Sequence, residues 1–320
     1  MKRRIIMVLL IVMMIFISGN ISFIQAERAK KLTANSPVEN GCYSDSNSKI
    51  FNSDSSTNIN FKLIGAATFI ITIGELKIAC DPSLCPKGTV FDYGLFKSER
   101  MEEPVYEDED FENIDLWLIT HNHDDHLDEI GLSKISSETT IITHKNTFET
   151  LEKTNSKNIS ILRWYQNKKL DIDGFEINIQ AIPAIHAVNP IVAISNGGVN
   201  GYWVDIKNNS NDESFSMYIT GDTVTKWIVL SSLRGRKVDL FIPFMGCARV
   251  GNGFLGLLLG PLTLNAKMMK KMKNIIDPEV TVPVHFGTFS HYTEPISEVE
   301  KWNDNSIKIL NPGENIVLDL

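Results

Sequence analysis

Between Thr120 and Glu129 the chain reads THNHDDHLDE. Three of its seven histidines stand there, at His121, His123 and His126, interleaved with Asp124, Asp125 and Asp128. Side chains crowded in this way repel one another when charged and are costly to desolvate unless a cation offsets them. Neutral imidazole nitrogens and carboxylate oxygens are the donors that Zn, Mn and Fe accept. Two histidines two apart at a strand end point the same way. His121 and His123 can therefore face one ion, while Asp125 and His126, farther round the turn, can face a second. A solvated turn capping the next helix would explain one aspartate; it does not explain three histidines.

Three further residues complete such a set: His186 in IPAIHAV, Asp222 in YITGDT and His285 in VPVHFGTF. Taken singly, each has a plain structural reading, as a hydrogen-bonded histidine or a turn aspartate after Gly221. Taken in order, each ends a β-rich run, where rigid scaffolds hold functional groups. His291, in FSHY, is either a surface loop histidine or a group that donates to the leaving group or binds substrate. Asp124 and Asp125 are candidates for moving protons. His144, in IITHKN, reads as structural or surface. Cys42, Cys80, Cys85 and Cys247 contain no Cys-x-x-Cys pair and make no zinc site. At least two of them are expected to be buried, inert thiols, although an exported chain could pair some, Cys80 and Cys85 being close in sequence.

The elements that must position these residues are visible as periodicity. From Ile59, NFKLIGAATFIITIGELKIACDPS gives three apolar runs punctuated by Gly65 and Gly74, a β-meander. Strands are predicted at 115–120, 139–144, 174–184, 201–206, 214–222, 238–244 and 279–287. Helices are predicted just after the His/Asp cluster and at 146–154, 226–235 and 262–276. Strands first, then mixed strands and helices, points to packed sheets with helices outside. The run GNGFLGLLLGPL (251–262) reads as a buried loop and helix start, in preference to the lining of an acyl pocket.

The N-terminus carries Lys2, Arg3 and Arg4, then an apolar stretch from Ile5, with Ala26 at a plausible cleavage point. Residues 1–26 are expected to be a secretory signal peptide or an N-terminal membrane anchor. Residues 27–58, rich in Ser, Asn and Asp, read as a polar linker, and 59–320 as the folded domain. Both readings place the body outside the cytoplasm, secreted or held at the outer membrane face by a tether through residues 5–24. The formal net charge of −8 argues against nucleic acid as a partner.

The strings THNHDDHLD, IPAIHA, YITGDTV and VPVHFGTF resemble the metallo-β-lactamase superfamily over roughly residues 60–319. The resemblance is closest to the branch holding ascorbate-phosphate lactonases and N-acyl-phosphatidylethanolamine phospholipase D. It implies an α+β fold, an αββα sandwich of two mixed β-sheets flanked by helices, with a dinuclear metal centre at one edge. It also implies that His121, His123 and His186 hold one divalent ion, Asp125, His126 and His285 the other, and that Asp222 bridges. Asp81, in the Asp-Pro of the family pattern, would orient a ligand histidine. Ala66 departs from the pattern, where a polar residue or histidine is usual beside the Gly.

The chemistry implied is hydrolysis of a small-molecule ester, lactone or phosphodiester. Two ions, Zn or alternatively Mn or Fe, would lower the pKa of a shared water from 15.7 toward about 7. Asp125, Asp222 and His291 would take part in catalysis. The alternatives are a metal-dependent oxidoreductase of the same fold and a non-catalytic exported carrier of metal or ligand.

Overall fold

Alternation decides which way the first strand faces. In β1 (Ile59–Gly65) the side chains of Ile59, Phe61 and Leu63 are buried and those of Asn60 and Lys62 are less so, the period of two that turns one face of a strand inward. The computed structural model describes residues 59–318 except Asn155 and Asn252. The leader or anchor and the polar linker expected at 1–58 lie outside the described residues.

After β1 come β2 (Thr68–Ile73), β3 (Leu76–Cys80), a small hairpin of β4 (Val90–Asp92) and β5 (Lys97–Glu99), β6 (Leu116–Ile119), β7 (Thr140–Thr143) and β8 (Asn158–Ile161). The second half holds β9 (Asn167–Ile172), β10 (Phe175–Ala184), β11 (Val199–Asn208), β12 (Ser214–Ile219), β13 (Leu240–Ile242), β14 (Val280–Thr281) and β15 (Asn315–Leu318). The helices are α1 (Glu129–Ser133), α2 (Phe148–Leu151), α3 (Pro190–Ser195), α4 (Trp227–Leu233), α5 (Phe254–Leu259), α6 (Ala266–Ile276) and α7 (Ser297–Glu300).

Seven strands form one mixed sheet in the order β15-β1-β2-β3-β6-β7-β8, and six form another in the order β14-β13-β12-β11-β10-β9. The pairs β3–β6, β6–β7 and β7–β8 are parallel in the first, as are β12–β13 and β13–β14 in the second. The main apolar core takes side chains from both sheets, among them Phe61, Phe69, Leu118, Tyr202, Met217 and Phe244. A second cluster packs Tyr218 and Phe241 against Val229 and Leu233 of α4 and Met269 and Met272 of α6. A third packs Trp117 and Ile141 against Leu127, Ile135 and Leu151 on the outer side of the first sheet. These are the layers of an αββα sandwich, and burying each large apolar side chain contributes roughly 1.5–3 kcal/mol. Among the described residues no helix is long and apolar enough to cross a membrane.

Helix α6 shows how local sequence sets such a layer. Asn265 caps it, its side chain accepting from Met268 N at 2.8 Å, and the buried residues Ala266, Met269, Met272 and Ile276 fall on one face. The cap explains why the helix begins at Ala266 rather than at 262. The strand predicted at 279–287 is shorter than its apolar pattern suggests. Its regular part is β14, and beyond Pro283, which has no N–H to give, only a single bridge joins Val284 to Phe244. Strands β4, β5, β8, β9 and β15 were not among those predicted from sequence. In β9 the run Asn167–Ile172 alternates exposed and half-buried positions and contains two lysines, which masks the apolar signal.

Candidate metal centre

Each candidate ligand stands where a strand ends. His121, His123, Asp125 and His126 follow β6, His186 follows β10, Asp222 follows β12, and His285 follows β14. Because β10, β12, β13 and β14 run the same way, their carboxyl ends gather along one edge of the second sheet. Three positions around the centre need special backbone. Gly221 has φ +57, and a Cβ on it would meet Asn200 O at 2.6 Å. His285 has φ 62 and Asp81 φ 40, left-handed conformations that non-glycine residues adopt at a cost of about 1–2 kcal/mol.

The seven side chains converge. His121 Nε2 and His186 Nε2 each lie 3.1 Å from His123 Nδ1. On the other side, His126 Nε2 is 3.0 Å from His285 Nε2, and Asp125 Oδ2 is 3.4 Å from His285 Nε2. Asp222 stands between the two groups. Its Oδ2 is 3.3 Å from His186 Nε2 and 3.4 Å from His126 Nε2, and its Oδ1 is 3.6 Å from His285 Nε2. The sets His121/His123/His186 and Asp125/His126/His285 each offer ligand atoms within 4.8 Å of one another.

The outer nitrogens fix the tautomers. Thr120 donates its hydroxyl proton to Asp81 Oδ2 at 2.6 Å and so accepts from His121 Nδ1 at 3.0 Å. His126 Nδ1 donates to Asp81 Oδ2 at 2.8 Å. His186 Nδ1 donates to Leu262 O and His285 Nδ1 to Met245 O, each at 3.2 Å. In the neutral rings, His121, His126, His186 and His285 therefore all turn a lone pair inward. The His126–His285 contact then sets acceptor against acceptor, and His123 can supply a proton to only one of its two neighbours. Asp222 Oδ1 is buried with no hydrogen-bond partner among the described residues. This donor set fits a metal cation, and without one its lone pairs go unmet. Asp81, filled by Thr120 N, the Thr120 hydroxyl and His126 Nδ1, orients His126.

The electrostatics point the same way. Burial, then His126 and His123, hold the His121 imidazole well below its ordinary pKa. Burial, then His186, holds His123 down to about 4. Both rings are thereby kept neutral. Burial would raise Asp222, but the neighbouring His285, His126 and His186 outweigh it and hold the carboxyl well below its usual range. Burial likewise opposes ionisation of Asp125, and His126 with its hydrogen-bonding partners His285 and His291 overcomes it. Asp222 and Asp125 in turn raise His126 strongly against its own burial. The carboxylates thus stay charged and draw a proton onto His126, while His121 and His123 stay neutral, and a divalent cation would take the place of that proton.

His291 is not a surface residue. It is buried, its Nε2 lies 3.5 Å from Asp125 Oδ2, and its Nδ1 meets Ser98 Oγ at 2.6 Å. Tyr292 was not singled out from sequence, although it follows His291 in FSHY. Its hydroxyl lies 2.7 Å from His285 Nε2 and 3.0 Å from Asp125 Oδ2. A lone tyrosine has no spacing signature that could have marked it. Asp124 is half-buried beside the cluster. His144 accepts from Asn146 N at the start of a short 3-10 turn, away from the centre. Cys80, Cys85 and Cys247 are free and buried, so the Cys80–Cys85 pair does not form; Cys42 lies outside the described residues. The run 251–262 corrects its sequence reading as buried. It forms α5, whose Phe254 and Leu257 are 81% and 70% exposed, because only Gly256, against the Val250–Gly251 backbone, and Leu259, against Ala248 and Leu262, turn inward.

Comparison with known proteins agrees with this geometry. The family described as "Beta-lactamase superfamily domain" matches residues 78–286, a span that includes Asp81 and every candidate ligand. A metal-dependent hydrolase of the UPF0173 family from Pyrococcus abyssi is 25% identical over 263 residues, covering 81% of this chain and all of the relative. Among solved structures, a possible metal-dependent hydrolase from Veillonella parvula superposes with a TM-score of 0.67 at 20% identity, covering 82% of this chain and all of that one. An isothiocyanate hydrolase from Delia radicum gut bacteria gives the same score and identity over 81% of this chain and 98% of that one. With the sandwich, the strand-end cluster and the family match in agreement, the chain belongs to the metallo-β-lactamase superfamily and is a metal-dependent hydrolase.

Proposed function

We propose that the enzyme uses two divalent ions to hydrolyse an ester, lactone or phosphodiester bond in a small molecule. His121, His123 and His186 hold one ion, Asp125, His126 and His285 the other, and Asp222 serves both. The observation that carries this reading is the position of Asp222. Its Oδ2 lies between the two histidine groups and its Oδ1 beside His285, and Oδ1 has no hydrogen-bond partner among the described residues. When bound, the ions lower the pKa of water toward about 7 and offset charge growing on the substrate oxygen. Asp81 and Thr120 hold the His126 and His121 rings in register. His291, fixed by Ser98, delivers or removes a proton at Nε2, beside Asp125. Tyr292 donates to Asp125 and helps hold its carboxylate in place.

Zinc suits a set rich in imidazole, and Mn or Fe are the alternatives. The resemblance of the ligand strings to the ascorbate-phosphate lactonase and phospholipase D branch favours a lactone or a phosphodiester among the three bonds. The basic and apolar N-terminal run supports action outside the cytoplasm; fractionation of cells expressing the full chain tests that, and activity confined to the cytosol would reject it. The chemistry is tested by turnover of bis(p-nitrophenyl) phosphate, a generic lactone and an isothiocyanate, before and after chelation and with each metal restored. Activity on an oxygen ester that is lost on chelation and returns with metal is expected. Activity on the isothiocyanate alone would contradict the bond class.

A further inference from the structure

We propose that the Tyr93 hydroxyl is a substrate contact, donating a hydrogen bond to a substrate oxygen that gains charge as the bond is cleaved. The inference rests on the hydrolytic reading of the site and adds to it a residue that no ligand pattern marks.

Tyr93 sits at the tip of the β4–β5 hairpin. The turn is closed by Tyr93 N donating to Phe96 O at 3.0 Å and Gly94 N to Asp92 Oδ1 at 2.9 Å. The hairpin is fastened to the loop after His285. Glu99 N donates to Ser290 Oγ at 2.9 Å, Ser290 N donates to Glu99 O at 2.8 Å, and Ser98 Oγ meets His291 Nδ1 at 2.6 Å. These bonds hold the Tyr93 ring 6.4 Å from the His291 ring and 5.1 Å from that of Phe96. A backbone turn tied at so many points leaves the ring little freedom, which suits a preorganised donor.

The hydroxyl itself is buried and has no hydrogen-bond partner among the described residues. Leaving a buried O–H unpaired is costly, and such groups call for an explanation. The groups that act on it are the carboxylates of the centre. Burial, then Asp125 and Asp124, raise its pKa far above the ordinary phenol value, so it remains a donor. It acts on the Asp124 carboxyl without the distance and alignment of a hydrogen bond. Asp125 already accepts from Tyr292 and stands beside His291. A fixed donor at the edge of the centre, hydrogen-bonded to no acceptor among the described residues, matches an acceptor brought by the substrate.

The test is Tyr93→Phe, which removes one oxygen, in the full metal-loaded chain. Aryl and alkyl esters or phosphodiesters turned over by the wild type form the series. The expected result is a fall of about 10²-fold in kcat/KM, with metal content and Tm unchanged. An even fall across leaving groups assigns the bond to the acyl or phosphoryl oxygen; a fall that steepens for poorer leaving groups assigns it to the leaving oxygen. Inorganic phosphate, titrated into both proteins as an oxyanion probe, is expected to bind the variant about tenfold more weakly. Rates within twofold of wild type throughout, with phosphate binding unchanged, would overturn the proposal. A wild type that neither turns over an oxygen ester nor binds phosphate would reject the oxygen-ester reading, and this contact with it.

Discussion

Asp81 never faces the centre of the cluster, yet it decides how the cluster is presented. Its two oxygens take Thr120 N, the Thr120 hydroxyl and His126 Nδ1 at 2.6–2.8 Å. Asp81→Asn would put an amide where an acceptor is needed and release the His126 ring. Metal affinity is expected to fall about 10–100-fold, read by competition with a chromogenic chelator. An affinity unchanged within a factor of two would show that His126 is held by other means. His291 gives a contrasting case. His291→Gln keeps a hydrogen-bonding group near Ser98 but removes the transferable proton, so kcat is expected to fall about 10²-fold while bound metal stays at the wild-type level. Loss of metal in that variant would make His291 a ligand instead. The residues that gather at the centre were legible in sequence because metal chemistry needs particular residue types at particular spacings. Tyr93 and Tyr292 were not, since each acts alone and owes its place to a hairpin and a loop brought near by tertiary packing.

Among the elements, the strand ends carry the strain. Gly221, left-handed and against the Asn200 carbonyl, sets Asp222 between the two histidine groups. Gly221→Ala is expected to cost at least about 2 kcal/mol, lowering Tm by roughly 4–8 °C; an unchanged Tm would show that the turn can relax. Farther out, Asp304 ties the loop after α7 to α6. Its side-chain hydrogen bonds, first with Ser306 and then with Lys273, hold its carboxyl down to about 2 from an ordinary 3.8. A depressed folded-state pKa stabilises the fold above the unfolded value, and the benefit disappears as pH falls through the folded one. Wild type is therefore expected to exceed Asp304→Asn in Tm at pH 6, with the gap closing between about pH 5 and pH 2. A gap independent of pH would assign the difference to packing. Periodicity marked the long strands and α6, whereas β9 and α5 escaped it. Lysines hide the inward face of the first, and an apolar run proved exposed in the second.

At the scale of the molecule, two mixed sheets pressed together by one core bring the ends of strands distant in sequence to one edge. Across that edge His126 and His285 meet at 3.0 Å although 159 residues apart. The order of the strands in each sheet could not be read from the sequence, because pairing depends on contacts between distant segments. The family resemblance nevertheless indicated the sandwich. The chemistry of the centre depends on whether the gathered lone pairs hold metal. The direct measurement is metal content by mass spectrometry on purified wild type and on an Asp222→Ala/His285→Ala variant, each checked for folding. About two divalent ions per wild-type chain, lost from a variant that stays folded, is the predicted result. Folded wild type that takes up no ion when Zn²⁺ or Mn²⁺ is supplied would contradict it.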